Sequence, residues 1–398
     1  MPAISSSPSS LLSVAERAQL PSGPLSTVES ITLIRALAAV PDHRQRRGRR
    51  HSLQSILLLG LQAVMAGASS WVAIAQWAAT APQALSVCAA PPSASTFRRV
   101  LGAVEVTAVE AALTRWVIGR QAAAAAEPRP AQPRSARRAV LAVDGKTVRG
   151  TRQDTGAATK LVSVFDHAHR LVLTQVAVVD GDEVAAFTAA LNTLPDLHGV
   201  LVTADALHCQ RTHADFLIAR GGDYLFTVKG NQPTLRTALR RLPWAQAPGS
   251  RRRGRSHGRQ ESRSIKVIDL DGTGIEELFP GARRAIKVVR RRVTGDGKRS
   301  VEIVYAITSL DHRAADPSLL AGWLRGHWTI ENRVHHVRDV TQREDASRIR
   351  TGNGAQVMAA LRNTANNIAR LNGHDNIAAA QRAAAWHPTA ITDAVNAA

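Results

Sequence analysis

AVLAVDGKTV (Ala139–Val148) and GVLVTAD (Gly199–Asp205) decide how this chain folds. Both are short runs rich in Val, Leu and Ala that reach an aspartate. The first reads as an apolar strand that ends in its aspartate, and the second as a buried strand. Between them, KLVSVFDH (Lys160–His167) and RLVLTQVAVV (Arg170–Val179) follow one another closely, which predicts a three-strand antiparallel meander with the first run. Helices are expected from Glu183 to Leu194 and from Cys209 to Arg220, then a strand, YLFTVKG (Tyr224–Gly230). Strands joined through a helix imply parallel, right-handed crossovers. Three antiparallel strands feeding parallel ones is the order of a ribonuclease H-like mixed sheet, an α+β or α/β fold.

Downstream, residues 235–310 interrupt the pattern as a β-rich insertion. It holds a basic loop (RRRGR, Arg251–Arg255) and strand-like runs near Ser264–Leu270, Arg284–Val293 and Val301–Thr308. A long helix is expected from Pro317 past Glu331 toward Val340, and the alanine-rich last 45 or so residues read as helical. Upstream, residues 1–27 are rich in Ser and Pro and read as flexible. Residues 28–120 form an all-α unit, with helices from Val28 to Val40, Leu53 to Ala66, Trp71 to Ala79 and one opening near Ser95. The last two could form a helix-turn-helix capped by Ser95 or Thr96, which would aim Arg98 and Arg99 at DNA; two ordinary amphipathic helices with solvated arginines read equally well. Residues 121–138 have linker composition, so the catalytic unit is placed at 139–372 and a helical tail at 373–398.

The charge narrows the function. The 398 residues carry 51 Lys+Arg against 31 Asp+Glu, a net charge of +20, which favours a polyanionic partner because neutralised phosphates release counterions. A genome that writes Arg wherever a surface cation is tolerated would give the same composition. Two cysteines, Cys88 and Cys209, supply neither a disulfide framework nor a cysteine zinc finger, and a reducing cytoplasm is expected. The N-terminus lacks the basic start of a secretory signal, and the most apolar stretch, Leu53–Ala79, is interrupted by Gln54, Gln62, Ser69, Ser70 and Gln76, so no membrane span is expected.

Asp144 and Asp205 each end an apolar run, and sites in such sheets gather at the carboxyl ends of strands. Gly145 after Asp144 would leave open space around the first carboxylate. Glu331, in RGHWTIENRVHHVRD, lies on the helix that could cross the sheet and join them. Three hard oxygen donors suit Mg²⁺ or Mn²⁺, and two such ions serve phosphoryl transfer. Singly, each acid reads as a turn, a cap or a helix-surface ion pair. His327, Glu331 and His335 share a helix face and could instead bind zinc, although the His-Glu-x-x-His pattern is absent. Around the acids, Lys146, Arg149, Lys229, Asn231, His327, Arg338, Arg348 and Arg350 are candidate phosphate contacts, with Trp328 available to stack on a base or to fill the core.

These motifs, with VPDHRQRRGRRHSLQSILLLGLQAVMAGASSWVAIAQWA, VTADALHCQRTHADFLIARGGDYLFTVKGNQPTL and GHWTIENRVHHVRDVTQREDASRIRTGN, resemble the H-repeat-associated (ISAs) insertion-sequence transposases over most of the chain. The resemblance implies a DDE enzyme with a ribonuclease H-like catalytic domain preceded by a helical domain. Asp144, Asp205 and Glu331 would be its three acids and metal ligands. It further implies DNA as partner, both the terminal inverted repeats of an element and a target, and a homodimer on paired ends. Related enzymes with a β-rich insertion carry Tyr-x-x-Arg-x-x-x-Glu and a Lys seven residues on; here those positions hold Leu324, His327, Glu331 and Arg338. A catalytically silent DNA-binding descendant and a structure-selective nuclease are the competing readings.

Overall fold

The computed structural model describes residues 31–47, 49–80, 90–125, 138–152, 158–256, 259–295 and 297–396. The expectations for residues 1–27, and for most of the linker, lie outside these.

The apolar run at 140–147 becomes the middle of the sheet because both of its faces can be covered. β1 (Val140–Thr147) is flanked by β2 (Lys160–Asp166), antiparallel, and by β4 (Leu201–Ala204), parallel. β3 (Val172–Ala177) closes one edge against β2, and β5 (Asp223–Val228) continues parallel to β4. Helices α6 (Glu183–Asn192) and α7 (Arg211–Ala219) make the crossovers. The antiparallel meander feeding parallel strands is the ribonuclease H-like order that the sequence predicts.

The insertion is not a separate lobe. β9 (Arg299–Thr308) pairs antiparallel with β5, and β8 (Arg284–Val293), β7 (Arg259–Asp269) and β6 (Gly249–Ser256) extend the same sheet in turn, after α8 (Pro233–Arg241). The order is β3-β2-β1-β4-β5-β9-β8-β7-β6. Arg251–Arg255, expected as a basic loop, therefore lies within edge strand β6. Ladder hydrogen bonds to β7 override a composition that has low strand propensity, and edge cations also discourage pairing with a further chain.

Helices cover both faces. Val140, Leu201, Leu225, Ile265, Val267, Ile286 and Ala306 pack beneath α9 (Pro317–His327). The other face joins α6 and α7 in a core continuous with α1 (Leu33–Ala38), α2 (Leu53–Met65), α3 (Trp71–Thr80), α4 (Ala94–Ala103) and α5 (Val106–Ala125). α5 runs into the stretch expected as linker, because the alanines there favour helix over coil. Ser93, rather than Ser95 or Thr96, caps α4 by accepting a hydrogen bond from the Thr96 amide. Residues 81–89, most of the turn between α3 and α4, lie outside the described part. α10 (Gly354–Leu371) sits against α2, α4, α5 and β3, followed by α11 (Ile377–Trp386) and α12 (Thr389–Asn396). Among the described residues, no helix is long and apolar enough to cross a membrane.

The helix expected to run unbroken from Pro317 toward Val340 changes its winding. α9 ends at His327, and Glu331–His335 and Val337–Thr341 are π-helical, with the His336 amide reaching the Glu331 carbonyl and Gln342 that of Val337. Such single π turns are frequent at functional sites.

Candidate active site

Strand register brings the two aspartates together. Val143 pairs with Ala204, so the next residues along the parallel pair are Asp144 and Asp205. β4 stops there, while β1 runs three residues past Asp144 against β2, so Asp144 does not end its strand as expected; it marks the point where one neighbour falls away. Side chains alternate faces along a strand, so Asp144 shares the face of Val140 and Ala142. Ala142 packs with Ile330 and Val334 of the π-helical segment, which delivers Glu331 and His335 over that same face.

The result is a cluster in which ligand atoms of Asp144, Glu331 and His335 lie within 4.8 Å of one another. His335 Nδ1 donates to Glu331 Oε2 at 2.8 Å and stands 3.6 Å from Asp144 Oδ2. Glu331 is exposed; the hydrogen bond from His335 holds its carboxyl below the ordinary range. Burial pushes Asp144 up to about 7, helped by the charges of Asp205, Glu331 and Glu183 and opposed by the Gly145 amide, which donates to its Oδ1 at 2.9 Å. Asp205 belongs to the rim beside this cluster rather than to it, with Oδ1 accepting from the Leu207 amide.

The residues fit a hard divalent cation. Carboxylate oxygens converge where like charges would otherwise repel, and burial keeps His335 low in pKa and hence neutral at pH 7. Because an elevated carboxyl binds a proton that must leave before a cation enters, affinity depends on pH. Below about 7 Asp144 is mostly protonated, so Mn²⁺ affinity is expected to fall roughly fivefold from pH 7 to pH 6 and to level off above pH 8. Calorimetric titration at four pH values checks this; a flat profile contradicts it.

The zinc stripe does not form. His335 turns to the acids, but His327 is buried with Nδ1 3.2 Å from Thr203 Oγ1, which His167 Nε2 also approaches at 3.1 Å. His335 was legible only as one third of that stripe; its spacing of four from Glu331 was the usable signal. Glu183 went unread. Its carboxylate fills the space beside Gly145 that was expected to be open, so that a Cβ there would lie 1.8 Å from Glu183 Oε1.

The basic candidates divide. Arg338 is fully buried and forms an ion pair with Glu344 at 2.8 Å, and Lys146 is buried with Nζ 2.5 Å from Asp339. His327 is likewise buried, so these three serve the interior, against the expectation that they meet phosphates. Arg149, Lys229, Asn231, Arg348 and Arg350 are exposed, although Asn231 also donates to the Ala206 carbonyl at 2.5 Å and Arg350 to that of Gly150 at 2.9 Å. Trp328 is 60% exposed, beside the cluster rather than in the core. Arg98 and Arg99 are exposed on α4, while Phe97, Val100 and Leu101 face inward.

The family described as "Transposase DDE domain" matches residues 135–368, more than half of the chain, and "DDE_Tnp_1-associated" matches residues 34–117. The chain belongs to the DDE transposase family. It is similar to "H repeat-associated putative transposase YhhI" of Escherichia coli K12, 30% identical over 354 residues, covering 84% of this chain and 89% of that protein. "Putative protein YbfL" of the same strain matches at the same identity and coverage. An "Uncharacterized protein in dhlA 3'region" of Xanthobacter autotrophicus is 32% identical over 294 residues, 70% of this chain and 93% of that one. Among solved structures, a piggyBac transposase synaptic complex with hairpin DNA covers 95% of this chain and 83% of that one at a TM-score of 0.39 and 10% identity, too remote to argue from. The likeness to H-repeat-associated DDE transposases drawn from the motifs thus stands.

Proposed function

We propose that this transposase cuts and joins DNA at the ends of an insertion sequence, with Asp144, Asp205 and Glu331 as its catalytic acids. The observation that carries the reading is that Asp144 and Asp205 directly follow the paired Val143 and Ala204 on neighbouring parallel strands, beneath a helical segment that returns Glu331 to the same edge. The three carboxylates would hold Mg²⁺ or Mn²⁺, two ions in all, which supply Lewis-acid stabilisation of the attacking and leaving oxygens when bound. The chain's own part is to fix the carboxylates beforehand, with His335 orienting Glu331 and the Gly145 amide orienting Asp144. Hydrolytic nicking would expose a 3′-hydroxyl, and its attack on target DNA would complete transfer.

A DNA path is supported by the outer strands. β9 pairs with β5 only through Tyr305–Thr308, so residues 299–304 run on beyond the carboxyl end of β5. That overhang, about 20 Å at roughly 3.3 Å per residue, leaves the sheet at the edge that carries the acids. One face of it aligns Arg252, Arg263, Arg290 and Glu302, where Glu261 and Glu302 bind the arginines. The other face aligns Arg253, Ser262, Arg291 and Val301, and its exposed Arg251, Arg253 and Arg291 have no ion pair among the described residues. Replacing Arg251, Arg253 and Arg291 together by Ala is expected to weaken binding to every duplex similarly and to lower the slope of log affinity against log salt by about one per arginine. An unchanged slope in a fluorescence-anisotropy salt series removes this face from the path. Lys229, Asn231, Arg149 and Trp328 would line the remaining rim, and paired ends would call for two copies of the chain.

The deciding experiment is Mg²⁺-dependent nicking of labelled element ends by purified protein, followed by a strand-transfer assay. Nicking and joining support the proposal. Specific binding without cleavage in Mg²⁺ or Mn²⁺ supports a silent DNA-binding descendant, and cleavage without joining supports a nuclease.

A further inference from the structure

Behind Asp144, on the face of the sheet away from Glu331, stands a fourth carboxylate. Side chains alternate along β1, so Gly145 faces α6, and Glu183 opens that helix. The Glu183 carboxylate occupies the volume that any side chain at 145 would need: an added Cβ would meet Oε1 at 1.8 Å and the carboxyl carbon at 2.6 Å. Gly145 does not adopt a positive φ, so close approach rather than a turn is what its missing side chain serves here.

A second, independent observation lies beside it. His208 follows Asp205 by three residues and is 0% exposed, yet neither of its ring nitrogens has a hydrogen-bond partner. Its Nε2 stands 3.9 Å from Glu183 Oε1, too far for a direct bond. A buried imidazole without partners is costly, and here it points at a carboxylate that is itself only partly exposed. The unpartnered imidazole thus faces the Glu183 carboxylate across a gap that no direct hydrogen bond closes.

We propose that Glu183 is a further metal ligand of this transposase, holding with Asp205 and Asp144 one divalent cation while Glu331 and Asp144 hold the other, His208 standing behind the first as His335 stands beside the second. The inference rests on the metal-dependent reading above and deepens it. Electrostatics agree with the placement. Glu183 is among the charges that raise Asp144, and Asp205 is among those that, after burial, raise Glu183 against the pull of Lys160. Asp144 is then the residue common to both halves, which accounts for its position at the sheet rim with carboxylates approaching from either face.

The test is Mn²⁺ binding by the full chain at pH 8, counted from the loss of the free-ion electron paramagnetic resonance signal. Two ions per chain are expected for the wild type. One is expected for Glu183→Gln and one for Glu331→Gln, with at least a tenfold loss of affinity at the affected site, and none for Asp144→Asn. Gly145→Ala keeps the Glu183 carboxylate but displaces it, and is expected to behave as Glu183→Gln does. Thermal unfolding of the ion-free variants close to wild type would show that the losses are local. Two ions bound with wild-type affinity by Glu183→Gln, alongside a defect in Glu331→Gln, would overturn the assignment of Glu183 alone. No Mn²⁺ bound by the wild type at millimolar concentration would overturn the metal-dependent reading and this inference with it.

Discussion

Asp144→Asn is expected to lower strand cleavage by at least about a thousandfold while leaving DNA affinity within about twofold, since in the proposed mechanism a metal contribution of several kcal/mol would rest on this carboxylate. The amide is nearly isosteric and keeps the oxygen that accepts from the Gly145 amide, so the strand and its neighbours have no reason to move. What it removes is a negative oxygen on the side 3.6 Å from His335, in the cluster where Asp144, Glu331 and His335 converge. It also removes the like charge that Asp205 and Glu331 oppose, so the substituted site is electrostatically more relaxed but unable to neutralise a cation. Asp205→Asn and Glu331→Gln are expected to fail in the same direction. Labelled element ends, incubated in Mg²⁺ and resolved on denaturing gels beside a binding isotherm, separate the two readouts. Cleavage by Asp144→Asn at the wild-type rate would remove the acids from the mechanism.

The second large effect is on stability. Arg338→Ala is expected to destabilise the fold by about 3–5 kcal/mol, because it strands a buried charge. Glu344 is fully buried; burial pushes its carboxyl up, yet the Arg338 and Arg362 guanidinium groups bring it below the ordinary range. Arg338 forks onto both of its oxygens at 2.9 and 3.0 Å, Arg362 adds a bond at 3.0 Å, and Lys146 stands 3.9 Å away. Losing one arginine leaves Glu344 with a weaker partner in a dry interior; losing Glu344 instead leaves two buried arginines facing each other. The double change Arg338→Met with Glu344→Met is expected to cost less than the two single changes together. Urea unfolding of the three variants measures this, and additive costs would mean that the groups do not act as a unit. This network also joins β1, through Lys146, to the π-helical segment that carries Glu331, so its loss is expected to loosen the third acid as well.

The position of Arg338 shows where a pattern in sequence misleads. Seven residues beyond Glu331, a cation at that place resembled a phosphate contact, and nothing in the string marks it as buried. Only Glu344, six residues on and brought back by the end of the π-helical turn, decides that the guanidinium faces inward. Likewise His327 shares a stripe with Glu331 and His335, but Thr203 on β4 claims it.

What the sequence determined by itself is the meander-and-crossover part of the sheet and the placing of two aspartates at its rim. The apolar runs at 140–143 and 200–204, broken only by Thr203, fit central strands, because only a strand covered on both faces buries every residue, and the aspartate that follows each run lies at the rim. Those facts are local and survive any arrangement of the rest. Tertiary structure alone decided the others: that β9 through β6 continue the sheet instead of leaving it, that Glu331 and His335 meet Asp144, and that Glu183 fills the space beside Gly145. Each depends on a contact between residues tens to more than a hundred positions apart, and neither period nor propensity encodes such a contact. The pattern says which face a residue is on, and packing says what it meets there.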